Sequence, residues 1–155
     1  MIKALFFDID GTLVSFNTHE IPSSTLVAIA EAKAKGIKIF IATGRPKAII
    51  NNLTALQERE LIDGYITMNG GYCFVGDEVI YKHSIPVQDV KALAALSDER
   101  NFPCIFVAEH TVAVCNTNKL VNEIFHDFLH VDILPIQTTA EDTQPEIFQM
   151  TPFIT

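Results

Sequence analysis

The sequence predicts an α/β protein in which a parallel sheet with intervening helices is followed by a smaller α+β unit. Three observations carry that prediction. Short runs suited to strands at residues 3–9, 37–42 and 64–67 alternate with segments whose apolar residues recur at helical spacing, which is the β-α-β-α-β rhythm of a parallel sheet. The first run is apolar almost throughout rather than alternating, as a strand covered on both faces is. From about residue 71 the rhythm changes, because Tyr72–Val75 and Glu78–Tyr81 flank Gly76-Asp77 in the manner of a hairpin.

In chain order, the run KALFFDI (3–9) stops at Asp10-Gly11 and predicts the first strand. Pro22-Ser23-Ser24 offers a helix cap, and Leu26, Ile29, Ala30 and Ala34 follow at helical spacing until Gly36 ends the segment. IKIFIA (37–42) predicts the second strand. Thr43-Gly44-Arg45-Pro46 then opens a second helix, with Ile49, Ile50, Leu53 and Leu56 on its apolar side. Gly64–Thr67 is a short third strand. Such a sheet is expected to be right-handed and doubly wound, with its ligand site beyond the carboxyl ends of the strands, where Asp8, Thr43 and Asn69 fall. Beyond the hairpin, Pro86 begins a second unit: a helix (87–100), strands at Cys104–Ala108 and Val112–Cys115, a helix (117–130), and strands at Val131–Leu134 and Ile147–Met150.

Composition narrows the function. Of the 155 residues 48% are hydrophobic and 19% charged, enough for a buried core. A net charge of −8 argues against nucleic acid and anionic membrane as partners, since both require basic patches. The apolar opening is interrupted by Asp8 and Asp10, too early for a signal peptide or membrane span, so the reading is cytoplasmic. Cys73, Cys104 and Cys115 lack CxxC spacing and sit among apolar residues, as core side chains do, so structural disulfides are not expected.

Chemistry concentrates at Phe6-Phe7-Asp8-Ile9-Asp10-Gly11-Thr12-Leu13. Two carboxylates two residues apart point to one side where the apolar strand breaks into a glycine turn. This stretch, together with Ile41-Ala42-Thr43-Gly44-Arg45 and Asn69-Gly70, resembles the haloacid dehalogenase superfamily and, within it, the Cof-type sugar-phosphatase branch. The resemblance implies a Rossmann-like core at residues 1–82, carrying the reaction, and the first part of an inserted α+β cap of the C2 type at 83–155. Thr43 follows Asp10 by 33 residues, room for one hairpin and one helix, so a large cap must come after the third strand.

The activity implied is magnesium-dependent hydrolysis of small phosphate monoesters, with sugar phosphates first. Asp8 would attack phosphorus to form an aspartyl-phosphate, splitting the hydrolysis into two displacements. By the resemblance, magnesium would take the Asp8 carboxylate and the Asp10 backbone carbonyl, leaving the Asp10 side chain as general acid and base. That role needs a proton on Asp10, which the neighbouring negative charges are expected to favour. Thr43 would hydrogen-bond a phosphoryl oxygen, helped by the start of the following helix. Gly11 and Gly44 allow close backbone approach, Arg45 would bring positive charge to phosphate or substrate, and Asn69 and Gly70 form the substrate-side loop. True dehalogenases of the superfamily lack an acid at the second position, and its transporter ATPases carry lysine there, so Asp10 favours a phosphatase.

By the same resemblance, the family's lysine motif and its GDxxxD-like acidic motif follow the cap, and nothing between Asn69 and Thr155 is similar to either. The 155 residues are therefore expected to be the N-terminal part of an enzyme, impaired by themselves, with the first strand left as an exposed apolar edge. The complete protein is expected to be a monomer or weak dimer acting on a small phosphorylated metabolite.

Blander readings compete at each motif. An EF-hand with Gly11 as its sixth residue would begin at Phe6 and end at Asn17, neither suited to calcium. A non-catalytic phosphate-binding or receiver-like module is the alternative from another class, but a receiver carries its phosphoacceptor after the third strand, where this chain has Met68-Asn69-Gly70. His126 and His130 stand one helical turn apart in a packing helix with no third ligand evident, which points away from zinc.

Overall fold

The computed structural model describes residues 2–128, 130–131, 135–139 and 146–154. The chain divides into two compact units, Met1–Arg45 with Ile50–Lys82, and Pro46–Ile49 with His83–Thr155.

The first unit holds β1 (Ala4–Phe7), α1 (Ser23–Ala34), β2 (Lys38–Ala42), α2 (Thr54–Gln57), β3 (Gly64–Thr67), β4 (Tyr72–Val75) and β5 (Glu78–Lys82). They form a five-stranded sheet in the order β1-β2-β3-β4-β5. The first three strands are parallel, with Phe6 beside Phe40 and Phe40 beside Gly64, and the β4–β5 hairpin adds antiparallel to β3. Ile39 and Ile41 of β2 pack in one cluster with Leu26 and Ile29 of α1, Leu56 of α2 and Leu53 just before it. Both helices thus lie on one face of these parallel strands. Two right-handed crossovers that step the same way across a sheet must land on the same side. On the other face Phe6 stacks on Phe40 with centroids 5.0 Å apart, yet Phe6 stays 58% exposed. Among the described residues β1, the strand that leads to Asp8, pairs only with β2.

Two local expectations change. Pro22 itself occupies the cap position of α1, with no side-chain cap bond; Thr25 and Leu26 donate their N–H groups to its carbonyl instead. The helix expected from Pro46 is broken into a 3-10 turn at Lys47–Ile49 and the short α2. Asn51 and Asn52 lie in the break, and asparagine side chains compete with the helical backbone for hydrogen bonds.

Asp63, just before β3, ties the unit together. Its carboxylate accepts from Lys33 Nζ at 3.0 Å, Lys38 Nζ at 2.9 Å and the Ile39 N–H at 2.9 Å. Burial pushes its pKa up, but the Ile39 N–H and the two ammonium groups outweigh that and bring it down to about 2.

The second unit contains α3 (Val87–Arg100), β6 (Cys104–Val107), β7 (Val112–Cys115), α4 (Lys119–Glu123), β8 (Ile136–Gln137) and β9 (Gln149–Pro152). Its sheet runs β8-β7-β6-β9. Asn118 caps α4, accepting from the Leu120 and Val121 N–H groups, and the helix continues as a π-helical stretch over Ile124–Phe128. The strand expected at Val131–Leu134 lies mostly outside the described residues. The last strand falls two residues later than expected, because Ile147 and Phe148 are core residues and the Ile147 carbonyl accepts from the Ile85 N–H. Cys104 and Cys115, cross-strand neighbours, are buried free thiols. Burial, with the Cys115 thiol beside it, pushes Cys104 up to about 12, an inert side chain. Among the described residues no helix is long and apolar enough to cross a membrane.

Candidate active site

The turn after β1 is fixed by what it buries. Ile9, Leu13 and Val14 are core residues, and the N–H groups of Thr12, Leu13 and Val14 all converge on the Ile9 carbonyl at 3.2, 3.0 and 2.9 Å. With Ile9 turned inward, its neighbours face the other way: Asp8 is exposed and Asp10 half-buried. Gly11 has φ +80°, and a Cβ there would lie 2.5 Å from a ring carbon of Phe16, so the tight exit needs glycine on both counts.

The ends of β2 and β3 are stitched together by their backbones. The Thr43 N–H donates to the Ile66 carbonyl at 2.9 Å, Asn69 N–H to the Thr43 carbonyl at 3.3 Å, and Met68 N–H to the Arg45 carbonyl at 3.3 Å. Met68 and Asn69 are both left-handed, with φ of 51° and 54°, a costly conformation for residues with side chains. The Thr43 hydroxyl accepts from the Arg45 N–H at 3.1 Å, leaving its hydrogen to donate elsewhere.

Asp8, Ala42, Thr43, Gly44, Ile66, Asn69 and Gly70 line an open cleft of about 340 Å³. Of the residues singled out from sequence, Asp8, Thr43, Gly44, Asn69 and Gly70 are thereby brought to one place. Asp10 and Arg45 meet each other instead. Arg45 Nε donates to Asp10 Oδ2 at 2.8 Å and Nη2 to Oδ1 at 2.9 Å, a two-pronged bond. This alters two expectations. The charge in direct contact with Asp10 is a cation rather than another carboxylate, and the guanidinium expected to reach phosphate is turned onto that acid. A third also changes: the segment after Gly44 is a 3-10 turn at Lys47–Ile49 rather than the start of an α-helix. Asn51, whose Oδ1 accepts from Arg45 Nη1 at 3.3 Å, was not legible beforehand. The one available signal was the pair of asparagines inside a supposed helix.

A magnesium ion can be tested against these donors. Asp8 offers a carboxylate at the cleft, whereas both Asp10 side-chain oxygens accept from Arg45, so Asp10 has its main-chain carbonyl to offer. One carboxylate and one carbonyl make a small, hard oxygen set, which suits a cation that keeps several waters. Among the described residues no three His, Cys, Asp or Glu side chains gather to form a metal cage.

Comparison with known proteins gives the family. A family model for haloacid dehalogenase-like hydrolases matches residues 5–154. The subclass IIB sugar phosphatase BT4131 superposes with a TM-score of 0.91 at 65% identity, over 99% of this chain and 59% of that one. BT1666 from Bacteroides thetaiotaomicron, analysed among phosphatases of the superfamily, gives 0.71 at 35% identity over 91% of this chain and 51% of that one. YkrA of Bacillus subtilis, which carries the name of a phosphatase, is 34% identical over 110 residues, covering 71% of this chain and 41% of its own length. The chain thus spans about half the length of the relatives it matches. Its motif residues, sheet and these likenesses together place it: the chain belongs to the haloacid dehalogenase-like hydrolases, on their Cof-type branch.

Proposed function

We propose that the protein hydrolyses small phosphate monoesters, sugar phosphates foremost, through an aspartyl-phosphate on Asp8. The observation that carries this reading is the cleft itself, whose single opening is lined by Asp8, Thr43 and Asn69. A nucleophile and two hydrogen-bonding groups around one space are what phosphoryl transfer asks of a site. The likeness to a chain named a sugar phosphatase supports the substrate class.

The Asp8 oxygen attacks phosphorus as the ester P–O bond breaks, and the Asp10 carboxyl delivers a proton to the departing alkoxide. Asp10 then takes a proton from the water that attacks the aspartyl-phosphate, which releases inorganic phosphate and restores Asp8. Thr43 and Asn69 hold the phosphoryl oxygens. The Asp8 carboxylate and Asp10 carbonyl would hold magnesium, which supplies the charge neutralisation that lets a carboxylate approach a phosphate dianion. Gly44 and Gly70, both at the cleft, would let backbone come close to the ligand, whereas the Gly11 position is filled by the Phe16 ring.

The reading is tested by phosphate release from hexose phosphates with and without magnesium, in the full-length protein and in Asp8→Asn. Release that needs both magnesium and the Asp8 carboxylate is expected. Undiminished turnover by Asp8→Asn would refute the nucleophile.

A further inference from the structure

We propose that Arg45 is a positioning residue: it acts through the Asp10 carboxylate, whose direction it fixes, and is not a ligand of the phosphate. The inference rests on the phosphatase reading and assigns a further part of the same site.

The geometry of the pair is the first support. Nε and Nη2 each bind a different Asp10 oxygen, at 2.8 and 2.9 Å, and two parallel bonds fix the carboxylate's distance and also its plane. An aspartate held at one oxygen would keep rotational freedom that two bonds remove.

The second support is access. The Arg45 side chain is 6% exposed while that of Asp10 is 29% exposed, so the acid is the member that faces outward. A guanidinium sunk behind the acid is placed to hold it and poorly placed to meet an incoming ester.

The third is anchoring. Arg45 Nη1 donates to Asn51 Oδ1 at 3.3 Å, its N–H to Thr43 Oγ1 at 3.1 Å, and its carbonyl accepts from Met68 N–H at 3.3 Å. Backbone and side chain are both held by the first unit's own residues, so the fork is aimed without any ligand. Proton delivery to a leaving oxygen depends on such aim, since a displacement of about 1 Å can cost about 100-fold in rate. Lysine would supply the charge without the plane.

The experiment compares Arg45→Ala and Arg45→Lys with the unaltered full-length protein, on a hexose phosphate and on an aryl phosphate. The Kd for inorganic phosphate is measured by calorimetry in each. Arg45→Ala is expected to lower kcat on the hexose phosphate by about 100-fold. The loss on the aryl phosphate, whose leaving group needs little help from an acid, should be under about tenfold. Phosphate affinity should stay within about twofold, as a charge outside the ligand's contacts requires. Added guanidinium ion should restore part of the lost rate, and Arg45→Lys should keep KM but not kcat. Arg45→Ala combined with Asp10→Asn should be no slower than Asp10→Asn alone, because the two changes remove one function.

A tenfold or greater loss of phosphate affinity would instead make Arg45 a phosphate ligand, and equal losses on both substrates would also overturn the proposal. Should Arg45→Ala fail to fold, the kcat and KM of Arg45→Lys decide. If the unaltered protein releases phosphate from neither substrate, the phosphatase reading itself falls, an outcome distinct from those above.

Discussion

The Asn69 side-chain oxygen stands 3.1 Å from where a Cβ on Gly44 would sit, so the loop after β3 closes onto the loop after β2 through a glycine. The left-handed Met68 and Asn69 and the backbone bonds to Thr43 and Arg45 hold that contact in place. The arrangement sets the Asn69 amide in the same cleft as Asp8.

Gly44→Ala is therefore expected to push the Asn69 amide aside by a few tenths of an ångström. The neighbour is the end of a side chain, so stability should change by less than about 1 kcal/mol. The rate should suffer more, with kcat/KM falling about tenfold, or about 1.4 kcal/mol of transition-state binding. Melting curves and steady-state kinetics check both numbers; a large stability loss with unchanged kcat/KM would contradict the role given to this contact.

Asp10→Asn tests the proton-transfer role proposed for Asp10 apart from the nucleophilic role proposed for Asp8. The amide cannot deliver a proton in the same way, so turnover of hexose phosphates should fall about 100-fold or more, and that of aryl phosphates much less. Equal losses on both would remove Asp10 from proton transfer.

Substrate choice is expected to reside in the second unit. Exchanging residues from about 84 onward for the corresponding unit of another family member should reorder the preferred substrates while the need for magnesium and Asp8 persists. An unchanged ranking of hexose, pentose and triose phosphates would assign specificity to the first unit.

Asp63 predicts an acid-labile core. Its pKa falls from an ordinary 3.8 to about 2 on folding, a depressed value, so its contribution is fully present above about pH 4 and lost as pH falls through about 2. The size is about 2 kcal/mol, since one pKa unit corresponds to about 1.4 kcal/mol. Denaturant melts between pH 5 and 2 measure the slope, and Asp63→Asn should flatten it while lowering stability at pH 7.

The open edge of β1 predicts self-association of the 155-residue chain. With β1 paired on one side among the described residues and Phe6 largely exposed, the strand offers backbone groups and an apolar ring to a second chain. Sedimentation should show association rising with concentration, and Phe6→Lys should reduce it. A strictly monomeric chain at high concentration would show that the edge is protected.

The family resemblance carried Gly44 and Gly70, whereas the parallel sheet, the hairpin and the places of Asp8, Thr43 and Asn69 beyond the strand ends were legible in the chain alone. These are local matters: apolar runs long enough to be strands, glycines where they end, and polar groups just beyond them, where a parallel sheet puts its ligands. The helices' common face was decided by crossover handedness along one strand order, which only the paired sheet reveals. The broken second helix and the capture of Arg45 by Asp10 and Asn51 were also decided in three dimensions. Asp10 and Arg45 are 35 residues apart in the chain, and no periodicity relates them. Their bond exists because β1 and β2 are neighbours in parallel register, so both strands end at the same level and bring an acid and a buried cation within hydrogen-bonding reach.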